Sequence, residues 1–431
     1  MYPNLYYLIK DLSGISLPFL KIVNTFGFVV AIAFLVSAWL LSKELKRKQA
    51  GGLFTYEETS ITIGEPASAW ELLLNFFLGF IFGYKILGVF FTAGALNDPQ
   101  SYIFSSKGSL LAGMGLGLFF SLLKWREKNK EKLAAPEQRL IRIWPSDRIG
   151  DIVIIAAIFG FVGAKIFDNL ENWDRFIQDP IGNLLSPSGL TFYGGLILAT
   201  LALGFYFRKH HIGFIPMCDA AAPSLMFAYG WGRIGCQVAG DGDWGVINSA
   251  YVSTGTGKVI PATVTQFRDS LQLYSGYYQL NFGGTERVQR AYFKAPSGLP
   301  DWLFAYTYPH NVNREGIPLT NCTWNDYCTH LPLPVFPTPF YEIIVCLLLC
   351  AVLWYFRKKI RIPGRLFAVY LIMNGLERFL IEHIRVNTRY DIFGFFPTQA
   401  EIISSLLVIA GVLLYWYAPR FKKPDIPEPT A

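Results

Sequence analysis

Charge is scarce in this chain. Of its 431 residues only 16% are Asp, Glu, Lys or Arg, against 52% hydrophobic and 16% aromatic, where a soluble domain carries about 25% charge. With a mean hydropathy of +0.33, the composition excludes an ordinary water-soluble protein and predicts a polytopic membrane protein. Metal-ligand residues are few as well. Six cysteines and five histidines show none of the C-x-x-C or H-x-x-x-H spacings that hold a metal, so no metal site is expected. The net charge of +7 does not point to nucleic acid, because the basic residues sit in short clusters between apolar runs. No cleavable leader is evident, and the first apolar run can serve as its own anchor.

What the chain has in abundance is apolar runs. The expected spans cover about Ile15–Leu41, Trp70–Thr92, Ser109–Leu123, Ile149–Phe167, Leu190–Phe207, Pro216–Ala239, Phe340–Phe356, Leu366–Ile384 and Ala400–Ala418. Basic clusters at Lys43–Lys48, Lys124–Lys130, Arg208–His211, Arg357–Arg361 and Arg420–Lys423 all fall on one side of this arrangement, which makes that side cytoplasmic. The expected architecture is therefore an all-α protein of about nine transmembrane helices. Its N-terminus is outside, its C-terminus cytoplasmic, and one extracytoplasmic segment of mixed or β character is inserted.

The expected segments are 1–48 (first span), 49–140 (an additional helix pair), 141–245 and 336–431 (a membrane core in two parts) and 246–335 (the outer segment). The additional pair looks like a degenerate repeat with a period of about 80 residues. Gly83-Tyr-Lys85-Ile echoes Gly163-Ala-Lys165-Ile, and Gly108 to Gly113 echoes Gly189 to Gly194. Ala112 stands where Tyr193 stands in the second copy, so the first copy reads as scaffold. In the outer segment, runs such as 270–280 lean towards β structure, and Cys322 and Cys328 are placed to pair in an oxidising compartment.

Charged residues beside the membrane are costly, so those that occur there point to a polar cavity or ligand. The stretch from Tyr229 to Gly245 places Arg233, Asp241 and Asp243 among glycines at one end of the sixth expected span. Ser188 to Gly195 opens the fifth span, Tyr341-Glu342 opens the seventh, and Asn374 to Arg385 closes the eighth. On a helix Arg378, Glu382 and Arg385 share a face. Exposed, they would form an ordinary ion-pair ladder; beside Arg233 at the same membrane level they read as a clamp for an anionic headgroup.

Together these motifs resemble the bacterial phosphatidylglycerol–prolipoprotein diacylglyceryl transferases. They are Arg233-Ile-Gly235 through Trp244-Gly245, Ser-Gly-x-x-Phe-x-Gly-Gly at 188–195, Tyr341-Glu342, and Arg378 with Glu382 and Arg385. The resemblance covers spans one and four to nine and leaves out about residues 50–140 and most of the outer segment. It implies an enzyme of the bacterial inner membrane that moves diacylglyceryl from phosphatidylglycerol to the lipobox cysteine of preprolipoproteins. No metal or diffusible cofactor is required. By the same resemblance Arg233 and Arg378 hold the phosphate, Asp241 or Asp243 orients an arginine or substrate, and Glu382 and Arg385 support them. Gly194 and Gly195 let the lipid glycerol approach the backbone. Phe26, Gly235, Cys236, Gly245, Tyr341, Glu342 and Asn374 complete the substrate-binding set.

The chain departs from the family pattern in several places. Tyr193 stands where the family has a histidine, and with an unperturbed pKa of about 10 it is a poor base. Phe26 replaces a tyrosine, an aspartate replaces a glutamate after the arginine motif, and Pro339 replaces a glutamine. A lipid-binding relative without catalysis and a small-molecule transporter are the competing readings. Loss of the guanidinium in Arg233→Ala or Arg378→Ala is expected to lower transfer activity at least about tenfold, because each removes charge-assisted bonds to phosphate. Turnover of diacylglyceryl onto a peptide measures this, and near-normal rates in both variants would remove the clamp.

Overall fold

A computed structural model describes residues 1–421 except 97–98, 187–188, 388–389 and 392–393, and leaves out the side chains of Gln100, Leu185 and Asn325. Ser188 of the glycine motif and Lys422 and Lys423 of the last basic cluster lie outside the described residues. In chain order the main elements are α1 (Leu5–Ser13), α2 (Thr25–Ala50), β1 (Glu57–Ile63), α3 (Ala69–Phe82) and α4 (Leu110–Lys130). They continue with β2 (Glu137–Ile143), α5 (Ile149–Glu171), α6 (Phe192–Lys209) and α7 (Phe214–Ala239). The last are α8 (Val264–Leu273), α9 (Ser275–Phe282), α10 (Thr338–Phe356), α11 (Arg365–Glu382) and α12 (Gln399–Tyr417).

Every expected span is occupied by a helix. Among the described residues five helical stretches are long and apolar enough to cross a membrane: Thr25–Ala50, Ala69–Phe91, Pro145–Glu171, Thr338–Phe356 and Gln399–Arg420. The first span needs correction. Residues 15–24 hold a short 3₁₀ turn at Pro18–Ile22, and the long helix starts only at Thr25. Pro18 lacks a backbone N–H and fits a helix start but not an interior.

The chain divides into two compact units. Of the described residues, one comprises Met1–Ile15, Val23–Glu44 and 215–421; the other comprises Ser16–Ile22 and Leu45–Phe214. In the second unit α3 packs on α4 and α5 packs on α6, each pair through glycines. A Cβ on Gly79 would lie 2.6 Å from the Leu116 carbonyl, and one on Gly195 would lie 2.6 Å from that of Gly160. Only glycine allows backbones so close. The repeat extends to hydrogen bonding. Lys85 Nζ donates to the Lys107 carbonyl (2.9 Å) and Lys165 Nζ to the Gly189 carbonyl (3.4 Å), each tying a helix to the loop before its partner. Between α2 and α3, β1 pairs antiparallel with β2. This ribbon occupies part of what reads in sequence as a plain charged connector, and Glu57 at its start pairs with Arg148 (2.6 Å).

In the first unit, residues 246–335 form a small mixed segment around Ile247, Val252, Phe267, Leu271, Tyr278, Tyr308, Leu331, Leu333 and Val335. The expected β run at 270–280 is helical instead. Thr263 and Gln266 form a capping box at the start of α8, and Phe267, Leu271 and Tyr278 recur at helical spacing on the buried side. A cap plus an apolar stripe overrides the β propensity of the tyrosines. Cys322 and Cys328 are disulfide-bonded. The amino terminus docks on this segment, with Met1 N donating to the Pro309 carbonyl at 2.8 Å and Tyr7 stacked on Trp324.

The start of α11 is held from another helix. Its N-cap is Gly364, which has no capping side chain. Asp219 of α7, 2% exposed, accepts from Gly364 N and Phe367 N at 2.8 Å each. Asp219→Ala is expected to cost about 2 kcal/mol, by loss of a cap and of charge-assisted bonds to buried N–H groups. A thermal unfolding midpoint in detergent indistinguishable from that of the unaltered protein would show that the cap carries no such weight.

Candidate active site

Glu342 is the centre of the site. It lies just past the first turn of α10 and is fully enclosed. Pro337 and Pro339 flank the helix start, where proline costs nothing because the first N–H groups have no partner within the helix. Gly230 lets α7 approach α10 closely: a Cβ there would lie 2.9 Å from Cys346 Cβ. That approach brings Arg233, one turn further along α7, to Glu342, with Nε 2.6 Å from Oε2. Arg378 of α11 and Arg385 reach Glu342 Oε1 at 3.3 and 3.4 Å. The Tyr229 hydroxyl donates to the same oxygen at 3.4 Å, and its ring lies 5.4 Å from the Arg233 guanidinium.

Two more carboxylates complete the cluster. Arg378 pairs with Glu382 at 2.9 Å, one helical turn on. Asp243 pairs with Arg233 through one oxygen and with Arg385 through the other. Three guanidinium groups thus face three carboxylates, Glu342, Glu382 and Asp243. Removing one member of such a buried network leaves an uncompensated charge, which costs about 3–5 kcal/mol.

The loop that carries Asp243 is shaped by glycine. Gly240 and Gly242 have φ of 67° and 101°, values that favour glycine. Gly245 is pressed between two backbone segments, and a Cβ there would meet the Ile384 carbonyl at 2.5 Å and the Phe336 carbonyl at 2.9 Å. Backbone N–H groups of Gly245 and Val246 donate to Phe336 and Ile384, both at 2.9 Å. The Thr338 hydroxyl donates to the Asp243 carbonyl at 2.8 Å. This stitching corrects the expectation for Arg385. α11 ends at Glu382, and Arg385 belongs to an extended stretch bridged to Gly245. It joins the arginines through strand-like pairing, not through a shared helix face.

The structure brings Arg233, Asp243, Glu342, Arg378, Glu382 and Arg385 into one network. Cys236 is buried beside it, with Arg233 Nη1 3.7 Å from its sulfur. Gly235 lies against Phe26, to which a Cβ would come within 3.0 Å. Asn374 is half-buried on α11 one turn before Arg378. The Tyr341 hydroxyl donates to the Leu303 carbonyl at 2.5 Å, bracing the segment 246–335. Tyr193, Gly194 and Gly195 belong to the other unit, where they form the first turn of α6. Sequence reasoning missed Tyr229, Thr338 and Glu377, the last 6% exposed on α11. A carboxylate next to an arginine inside an apolar run was the available signal for Glu377.

One atom each of Cys236, Asp241 and Asp243 lie within 4.8 Å of one another, a proximity that sequence spacing does not show. Both Asp243 oxygens already face guanidinium groups, whose charge would repel a cation placed among the three. The two aspartates behave differently. Burial raises the Asp243 carboxyl, but Arg233 and Arg385 outweigh it and hold the value at about 2. Burial raises Asp241 above the usual carboxylate value, and no guanidinium pairs with it among the described residues.

In a multi-pass membrane protein a carboxylate-braced trio of arginines can hold a phosphate-type anion, since guanidinium groups match phosphate in charge and fork geometry. Comparison with known proteins agrees. The family described as prolipoprotein diacylglyceryl transferase matches residues 108–417, and this chain belongs to it. The match begins within the extra helix pair and does not reach Phe26. A phosphatidylglycerol–prolipoprotein diacylglyceryl transferase of Dehalococcoides mccartyi is 24% identical over 314 residues, 73% of this chain and 89% of the relative. That of Chlorobaculum tepidum is 25% identical over 351 residues, 77% of this chain and 94% of the relative. That of Leptospira interrogans is 24% identical over 325 residues, 62% and 79%.

Because Asp243 is held below its free value of 3.8, its contribution to stability is complete above that value and is lost as pH falls towards 2. Thermal midpoints measured against pH are expected to fall over that window, and the fall should be smaller in Asp243→Asn. An identical acid limb in the variant would show that the two arginines do not depend on this carboxylate.

Proposed function

We propose that this protein transfers the diacylglyceryl group of phosphatidylglycerol to the cysteine thiol of prolipoproteins, forming a thioether and releasing glycerol phosphate. The observation that carries this reading is the convergence of Arg233, Arg378 and Arg385 on Glu342 in a member of this family. The donor is an anionic phosphodiester and the leaving group a phosphate monoester, so negative charge grows on phosphate oxygens as the bond to carbon breaks. Guanidinium groups already fixed by carboxylates meet that charge without reorganising, which is where electrostatic catalysis gains most. Each arginine has five N–H donors, more than its carboxylate partners take, so donors remain for phosphate.

The acceptor is the lipobox cysteine of a preprolipoprotein, presented from the outer side of the bacterial inner membrane. In this reading all nine long helices cross the bilayer and residues 246–335 face away from the cytoplasm. In the same reading Tyr193 hydrogen-bonds phosphate or thiol, and Gly194 and Gly195 let the lipid glycerol approach the backbone. Phe26, Gly235, Cys236, Gly245, Tyr341 and Asn374 shape the space around the headgroup. The additional pair α3–α4 is scaffold.

Reconstitution tests this directly. Purified protein in phosphatidylglycerol liposomes with a lipobox peptide is expected to add one diacylglyceryl group at cysteine, seen by mass spectrometry, with an equal amount of glycerol phosphate released. Arg233→Lys keeps the charge but loses the fork, and is expected to fall at least about tenfold in rate. Retention of phosphatidylglycerol without any transfer would replace the transferase by a lipid-binding protein.

A further inference from the structure

Thiol chemistry needs a proton acceptor, and a phenol such as that of Tyr193, whose unperturbed value is about 10, suits the task poorly. His383, beside Glu382 in sequence, is turned to the Phe379 carbonyl at 2.9 Å. The loop after Gly240 offers a different group. Asp241 and Asp243 are separated by one residue yet stand in opposite surroundings. Asp243 has each oxygen committed to a guanidinium donor. Asp241 has no such partner among the described residues, and its Oδ1 is buried without a hydrogen bond. Two carboxyl groups whose surroundings push their proton affinities apart divide anchoring from proton transfer. The buried Cys236 sulfur lies within 4.8 Å of an oxygen of each carboxylate, so a thiol already fits beside Asp241. The groups facing it are Arg233 and Cys236 from α7, Asp243 from its own loop and Tyr308 from the outer segment.

We propose that Asp241 is the general base that takes the proton from the acceptor cysteine. This rests on the transferase reading. The S–H proton passes to the Asp241 carboxylate, and the sulfur electron pair forms the bond to the glyceryl carbon. The carbon–oxygen bond to phosphate breaks, and its electron pair leaves on the phosphate oxygen facing Arg233 and Arg378. Asp241 then gives the proton to the departing glycerol phosphate or to water. A free thiol has a pKa of about 8.5, lowered beside arginines. Burial raises the carboxyl, so the two proton affinities approach each other, as efficient transfer requires.

The test uses full-length protein in phosphatidylglycerol liposomes with two acceptor peptides, identical except for cysteine or selenocysteine. A selenol is already ionised at neutral pH and needs no base. Asp241→Asn is expected to lower kcat on the cysteine peptide by about 100-fold or more at pH 7, the usual range for loss of a general base. KM for phosphatidylglycerol should change less than about threefold, since binding groups are untouched. On the selenocysteine peptide the deficit should shrink at least about tenfold, and Asp241→Glu should recover part of the rate by restoring a base. Equal deficits on both peptides would make Asp241 a positioning residue and overturn the assignment. So would a nucleophile-dependent deficit in Tyr193→Phe with none in Asp241→Asn. A wild-type protein silent on both peptides would sink the transferase reading itself, a result distinct from failure of the base.

Discussion

Everything in the site depends on one enclosed carboxylate. Glu342 has no exposed surface and receives Arg233 at 2.6 Å, with Arg378 and Arg385 at 3.3 and 3.4 Å. Isolated, a carboxylate in such a position would be too expensive to keep ionised. Surrounded by three guanidinium groups it becomes the point that fixes all three, one from α7, one from α11 and one from the stretch just after it. The same bonds that hold α7, α10 and the end of α11 together therefore also set the geometry of the proposed anion site. Stability and binding are here a single set of interactions.

The backbone around Gly245 has a comparable double role. It joins the end of α7 to the stretch before α10 and the stretch after α11, and it fixes Asp243 beside two arginines. The one-residue offset between Asp241 and Asp243 then acquires chemical meaning. One carboxylate is neutralised by cations and serves as an anchor. Its neighbour retains an unpartnered oxygen and a raised proton affinity, as a proton acceptor should.

The second unit holds two helix pairs that are built alike. α3 with α4 and α5 with α6 share glycine crossings and a lysine that ties the connecting loop down. What differs is the residue at the head of the return helix, Ala112 in one pair and Tyr193 in the other. The common parts are those that packing demands, because close backbone contact requires glycine at fixed spacing. The variable part is the one that packing leaves free.

Much of this was legible from sequence. Helix positions followed from apolar runs bounded by basic clusters, since a bilayer enforces length and hydropathy on whatever crosses it. The repeat and the arginine and carboxylate motifs could be read for the same reason: polar residues are conspicuous where they are costly. Tertiary structure decided the rest. No spacing indicates that Glu342 is the shared partner of three arginines, that Arg385 arrives from an extended stretch bridged to Gly245, or that among the described residues both oxygens of Asp243 face arginines while those of Asp241 do not. Nor could composition tell that residues 264–282 are helices, because a capping box and a buried stripe outweigh the β preference of their tyrosines. Local chemistry and the membrane constrain what a sequence can reveal of itself; which charge meets which is settled only when distant segments pack.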